Sequence, residues 1–273
     1  MSITASPRSL RVRSPAVAGI FYPGGASSLA TSVDGLLAQQ GAKAARRPRA
    51  LVCPHAGYKY SGQVAAQAFA QIRDEDFEQV VLMGPSHRVA FRGVALADVD
   101  AFETPLGSLP LASNFSDLTR SKLFVKANAP HEQEHSIEVE LPFLQRTLRK
   151  FSLAPMVFGE VDEHAVALEL RAYVNPRTLF VVSSDLSHYH DYDTAAALDR
   201  ETVDAILRLD VAAVLQAEAC GRSPLATLLH LAAWQNWEPQ LLGYQNSGDT
   251  AGDKSRVVGY AAIAFYDRAA SGE

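Results

Sequence analysis

Leu179-Phe180-Val181-Val182-Ser183-Ser184-Asp185-Leu186-Ser187-His188 runs an apolar stretch straight into a polar loop that ends in histidine. The same arrangement occurs twice earlier in the chain. Ala50-Leu51-Val52-Cys53 leads into Pro54-His55-Ala56-Gly57-Tyr58, and Val80-Val81-Leu82-Met83 leads into Gly84-Pro85-Ser86-His87. Short apolar runs followed by Gly, Pro or Ser read as buried strands of a mostly parallel sheet. Ligands of such sheets bind in the crevice beyond the carboxyl ends of the strands. The three loops are therefore expected to converge on one pocket.

Working outward, the patterning predicts an α/β fold: a central mostly parallel or mixed sheet flanked by helices. Helices are expected over 28–40, capped by Ser27 or Ser28, over 61–73, capped by Ser61, and over 113–122, with Ser113 as cap. Others fall at 137–150 and 162–173, with two or three more between 194 and 237. Pro142 requires the 137–150 helix to kink or to start later than its apolar pattern suggests. Further strands are expected at 93–97, 153–158, 239–244 and 257–265, the last as a central strand. With no fixed-period repeat and no long linker, one domain over 1–273 is expected, with residues 1–14 loosely ordered.

Composition narrows the function classes. The chain has 273 residues, 48% of them hydrophobic and 20% charged, which suits a globule with a sizeable core. A net charge of -5 supplies no basic field for nucleic acid or an anionic membrane. Arg46-Arg47-Pro48-Arg49 reads as a solvated loop before a strand. Residues 1–14 hold three arginines but no apolar run of seven, so they read as neither signal peptide nor anchor, and a cytoplasmic address is expected. Two cysteines make no disulfide framework, so each is core filler or a reactive or metal-binding thiol.

His55 and His87 each follow a strand and a tight Pro- or Gly-containing turn that would fix the ring's direction, which suits metal ligands. Cys220, in Ala219-Cys220-Gly221-Arg222-Ser223-Pro224, is the candidate third ligand. Ser223 could cap the following helix with Pro224 at its first position, and that helix's positive end would lower the thiol pKa. Cys53 ends an apolar strand and reads as core. Asp185 and His188 stand three apart. If their loop opens into a helical turn, they share one side, as a carboxylate orienting a general-base imidazole requires. His131-Glu132-Gln133-Glu134-His135 matches the zinc-peptidase spacing His-Glu-x-x-His. It reads as a false match, because Pro130 precedes it and Ser136 looks like the start of a helix. His164, His190 and His230 read as ordinary surface or loop histidines.

Several blocks together resemble the Memo-like family. They are Val17-Ala18-Gly19 with Phe21-Tyr22-Pro23, Pro54-His55-Ala56-Gly57-Tyr58 with Tyr60-Ser61-Gly62, Gly84-Pro85-Ser86-His87, and Glu103-Thr104-Pro105-Leu106-Gly107. Glu134-His135-Ser136-Ile137-Glu138 with Leu141-Pro142, Ser183-Ser184-Asp185-Leu186-Ser187-His188 and Cys220-Gly221-Arg222-Ser223-Pro224 complete the set. They occur in order from about residue 15 to the C-terminus. Prokaryotic members are also called AmmeMemoRadiSam system protein B, after an association with a radical-SAM protein and an AMMECR-type protein, which the resemblance implies as partners. It also implies a fold like that of class III extradiol dioxygenases, which are non-heme iron enzymes.

The resemblance implies a metal site of His55, His87 and Cys220, with Asp185 and His188 beside it and His135 lining the same pocket. The dioxygenases carry two histidines and a glutamate, whereas this pattern supplies a thiolate, which favours iron, copper or zinc in a different electronic setting. The expectation is a metal-dependent redox enzyme, with iron first among the metals and an unknown small-molecule substrate. The rival expectations are a scaffold that uses the pocket to bind a partner peptide, and a zinc-dependent hydrolase.

Overall fold

The computed structural model describes residues 9–269. Twelve strands are present among them: β1 (Val12–Arg13), β2 (Pro48–Cys53), β3 (Gln79–Pro85), β4 (Val94–Leu96), β5 (Ala101–Thr104), β6 (Gly107–Pro110), β7 (Phe124–Lys126), β8 (Ser152–Phe158), β9 (Thr178–Ser183), β10 (His188–His190), β11 (Trp237–Asn246) and β12 (Val257–Asp267). The α-helices are α1 (Ala26–Ala38), α2 (Tyr58–Ala70), α3 (Ala129–Glu132), α4 (Leu141–Thr147), α5 (Glu163–Leu170), α6 (Tyr192–Leu207), α7 (Val211–Gln216), α8 (Arg222–Gln235) and α9 (Ser247–Ala251).

The large sheet runs in the order β10-β12-β2-β9-β3-β8-β4-β7, with β11 paired to β12. Its centre, β2, β9, β3 and β8, is parallel. The flanks turn antiparallel where β12 meets β2 and β4 meets β8. The late strand β12 is paired on both edges, but it lies toward one flank and not in the parallel centre.

The centre strands are apolar throughout because both faces are covered. Leu51 and Cys53 join Val33, Phe69 and Phe143 of α1, α2 and α4. Ala50 and Val52, one residue out of phase, join Val166, Ile206 and Leu228 of α5, α6 and α8. Phe69 and Phe143 stack with ring centroids 5.1 Å apart, and truncating either to Ala would cost about 3–5 kcal/mol.

Several expected boundaries shift, each for a local reason. α1 and α2 start after Gly25 and Gly57, and no side chain caps either helix. Ser28 and Ser61 point back instead, their hydroxyls donating to the carbonyls of Gly25 and Ala56. Ser113 opens a 3-10 helix, Ser113–Arg120, whose cap is Ala112. α4 starts late, with Pro142 in its first turn where no N–H is required. α8 starts at Arg222 after Gly221, so Ser223 is not its cap and instead donates to Glu163 Oε1 at 2.8 Å.

A second sheet, β1-β5-β6, was not expected. It bears on the loose segment expected over 1–14: residues 1–8 lie outside the described residues, but Val12–Arg13 pairs in parallel with β5. Arg13 is buried and ion-paired to Glu138. No helix among the described residues is long and apolar enough to cross a membrane.

Candidate metal centre

The parallel register sets Cys53 of β2 opposite Ser183 of β9, and Met83 of β3 opposite Val182. The loops that follow therefore leave the sheet at one edge. His55 stands two residues past Cys53, and His87 two past Pro85. Cys220 arrives from the other side, in the turn before α8. One donor atom from each of His55, His87 and Cys220 lies within 4.8 Å of the others.

The segment Ser183-Ser184-Asp185 holds two of these three in place. Asp185 Oδ1 accepts the backbone N–H of His55 at 2.8 Å. The Asp185 carbonyl accepts the N–H of Cys220, and the Asp185 N–H donates to Cys220 Sγ at 3.3 Å. Ser184 Oγ accepts the N–H of Gly221 at 2.9 Å. Ser183 Oγ lies 2.6 Å from His55 Nδ1. That contact leaves Nε2 to face Cys220 Sγ, 3.3 Å away.

His87 is held by a different residue. Glu134, itself buried, accepts the His87 backbone N–H at 2.6 Å and lies 2.9 Å from its Nδ1. Both histidines thus have Nδ1 engaged by a partner outside the donor cluster, the arrangement by which an outer partner fixes the tautomer of a metal-binding imidazole. His87, Glu134 and His135 form a second cluster of donor atoms. There Glu134 Oε1 already faces His87 Nδ1 and the N–H groups of His135 and Ser136, each at 2.9 Å. Its lone pairs are committed to hydrogen bonds, so the His55, His87 and Cys220 set is the better-formed candidate for a metal site.

His135 does reach this pocket. Its ring stacks on His87 at 4.5 Å and meets His55 edge-on at 5.3 Å. His188 is half-buried and lies within electrostatic reach of His55 and His87. Asp185 does not orient it. The loop forms no helical turn and continues into β10, whose register shifts between His188 and His190. The shared side expected of a helical turn is therefore absent, and the Asp185 carboxylate is taken by the His55 turn.

Burial sets the electrostatics. It lowers His55 well below the ordinary histidine value, with His135 and His87 adding to the effect, and lowers His135 to about 4 against the opposing Glu134 charge. It also lowers His188. Asp185 is pushed up to about 7 by burial, opposed by the backbone N–H groups of His55 and Ala56. The Cys220 thiol is pushed up to about 12, the reverse of the lowering expected from the helix end, because burial and the Asp185 charge outweigh the donors around it. A coordinating cation would reverse that order and remove the proton.

Cys220 also lines a cavity of about 430 Å³ together with Ser86, Phe91, Phe158 and Arg222. Cys53 is fully buried and faces the α1, α2 and α4 layer, as expected of core. His131 is buried with Nε2 against the Ala95 carbonyl at 3.1 Å. Its helix α3 ends at Glu132, so the His-Glu-x-x-His spacing never becomes one helical face. His164 meets Trp234 edge-on while His230 stacks on it, and His190 pairs with Glu218.

Sequence reasoning missed Glu134 and Ser183. Glu134 lies inside the rejected His-Glu-x-x-His match, although a carboxylate beside a histidine at a helix start was the available signal. Ser183 stands where the apolar run meets the polar loop, and nothing local marks it as a partner of His55, 128 residues away.

The comparisons with known proteins bear on the whole chain. The family model described as Memo-like protein matches residues 13–264. A MEMO1 family protein of Methanosarcina acetivorans is 36% identical over 272 residues, covering 93% of this chain and 99% of that protein. One from Aquifex aeolicus is 34% identical over 270 residues, covering 94% and 100%. Among solved structures, an uncharacterized protein from Escherichia coli K12 superposes with a TM-score of 0.53 at 11% identity, covering 80% of this chain and 99% of that one. That likeness shows a shared α/β fold. The chain belongs to the Memo-like family.

Proposed function

We propose that this protein binds one transition metal ion through His55 Nε2, His87 Nε2 and Cys220 Sγ, and that the metal serves a redox enzyme acting on a small molecule. The observation that carries the reading is the convergence of three donors from three separate loops, two of them imidazoles with Nδ1 already engaged. Two imidazoles and a thiolate suit iron, copper or zinc, and iron is the metal proposed. Bound there, the metal would supply Lewis acidity and one-electron redox chemistry.

The chain's own residues would do the rest. His188, kept neutral by burial, would serve as the proton acceptor beside the metal. His135, held between His55 and His87, screens the ligands from solvent on one side. The cavity beside Cys220 would admit the substrate, with Phe91 and Phe158 as its apolar walls.

The test is the metal content of anaerobically purified protein, comparing wild type with Cys220→Ser and His55→Ala. Stoichiometric iron in wild type and its loss from both variants supports the reading. Zinc without oxygen consumption would point to hydrolysis. Absence of any transition metal from all three would sink the proposal and favour a scaffold that uses the pocket for a protein partner.

A further inference from the structure

Ser183 Oγ has three close partners in a fully buried setting: the Ser136 carbonyl at 2.6 Å, His55 Nδ1 at 2.6 Å and Glu140 Oε1 at 3.1 Å. A serine hydroxyl carries one proton and two lone pairs. The Ser136 carbonyl has no proton to give, so an oxygen–oxygen separation of 2.6 Å places the Ser183 proton there. The hydroxyl then has only lone pairs left for its other two partners. His55 must donate from Nδ1, and Glu140 must donate as well.

We infer that Glu140 is a neutral carboxylic acid that positions His55 through Ser183, so that the Nε2 lone pair is the one turned toward Cys220. This rests on His55 being a metal ligand, as proposed above. Glu140 touches neither His55 nor Cys220, so its part is positioning. Its second oxygen, Oε2, is buried with no hydrogen-bond partner. An ionised carboxylate would leave a charged oxygen bare there, whereas the carbonyl oxygen of a neutral acid tolerates it. The titratable groups that face it are Cys53 of β2, Tyr58 of α2 and Asp185 after β9, and no cation is among them. Burial and the Asp185 charge raise its pKa well above the usual carboxylate range.

Glutamine at this position keeps a neutral donor of the same length, and leucine removes it. Two readouts separate the outcomes. Infrared spectra of metal-free protein in D2O should show the carbonyl band of a protonated carboxylic acid in wild type, with that band lost in Glu140→Gln. Cobalt titration followed by its absorption bands should give Glu140→Gln an affinity near wild type and Glu140→Leu one about 10–100-fold weaker. Absence of the band, or a glutamine variant as impaired as the leucine one, would overturn the inference. If wild type takes up no cobalt, the metal reading falls, while the infrared band still decides whether Glu140 carries its proton.

Discussion

Glu134 grips His87 at two points, accepting the backbone N–H at one carboxylate oxygen and facing ring Nδ1 with the other. The carboxylate is held down to about 2, because the His87 contacts and neighbouring backbone N–H groups outweigh its burial. Glu134→Gln retains the volume but weakens the acceptor and loses the charge. Metal affinity should fall about 10–100-fold, as for other outer-partner substitutions. A competition titration against a chelator checks this, and unchanged affinity would show that the His87 ring is oriented by other contacts.

Gly221 sits at an ordinary φ of −92 but has no room for a side chain. A Cβ there would fall 2.5 Å from Ser184 Cβ and 2.9 Å from the Ser183 carbonyl oxygen. Gly221→Ala should therefore push the Cys220 turn off the Asp185 segment, with a stability loss of about 1–3 kcal/mol from overpacking. Metal binding should suffer more than folding. Urea unfolding run beside a cobalt titration separates the two, and intact metal binding would mean the turn has slack that the contacts do not show.

Arg13 ties β1 to the segment 131–138 that carries Glu134. It pairs with Glu138, whose carboxylate also accepts from Ala16 N, Val17 N and the Tyr22 hydroxyl, and it donates to the carbonyls of His131 and Glu134. Arg13→Met leaves Glu138 buried without its cation and should cost about 3–5 kcal/mol. Adding Glu138→Gln should restore part of the loss. Chemical denaturation of the single and double variants measures the coupling.

His131 should make the fold acid-sensitive. Its Nδ1 has no partner and its burial lowers the pKa from 6.5 to about 4. The unfolded chain then binds the proton first. The contribution is complete above pH 6.5 and is lost as pH falls toward 4, on the order of 3 kcal/mol in all. His131→Gln should flatten that part of the profile. Denaturation midpoints at pH 7 and pH 4.5 decide it, and an equal acid loss in the variant would move the cause to other histidines.

Legibility followed the range of the interactions. Apolar runs at 50–53, 80–83 and 179–182 are visible because a strand buried on both faces must be apolar at every position. His55, His87 and Cys220 are visible because turns with Gly or Pro aim a side chain locally. The strands β1, β5, β6 and β7 are short or mixed in polarity, and no period marks them.

By itself, then, the sequence determined the α/β class, the family and the loops that carry the candidate ligands. Only the tertiary structure decided what stands behind them. It placed Glu134 against His87, set Ser183 between His55 and Glu140, turned Asp185 toward His55 and away from His188, and raised the Cys220 thiol. Each of these depends on desolvation and on hydrogen bonds between residues up to 130 positions apart. No local pattern carries that information, because a proton's position is set by every donor and acceptor the fold brings within reach.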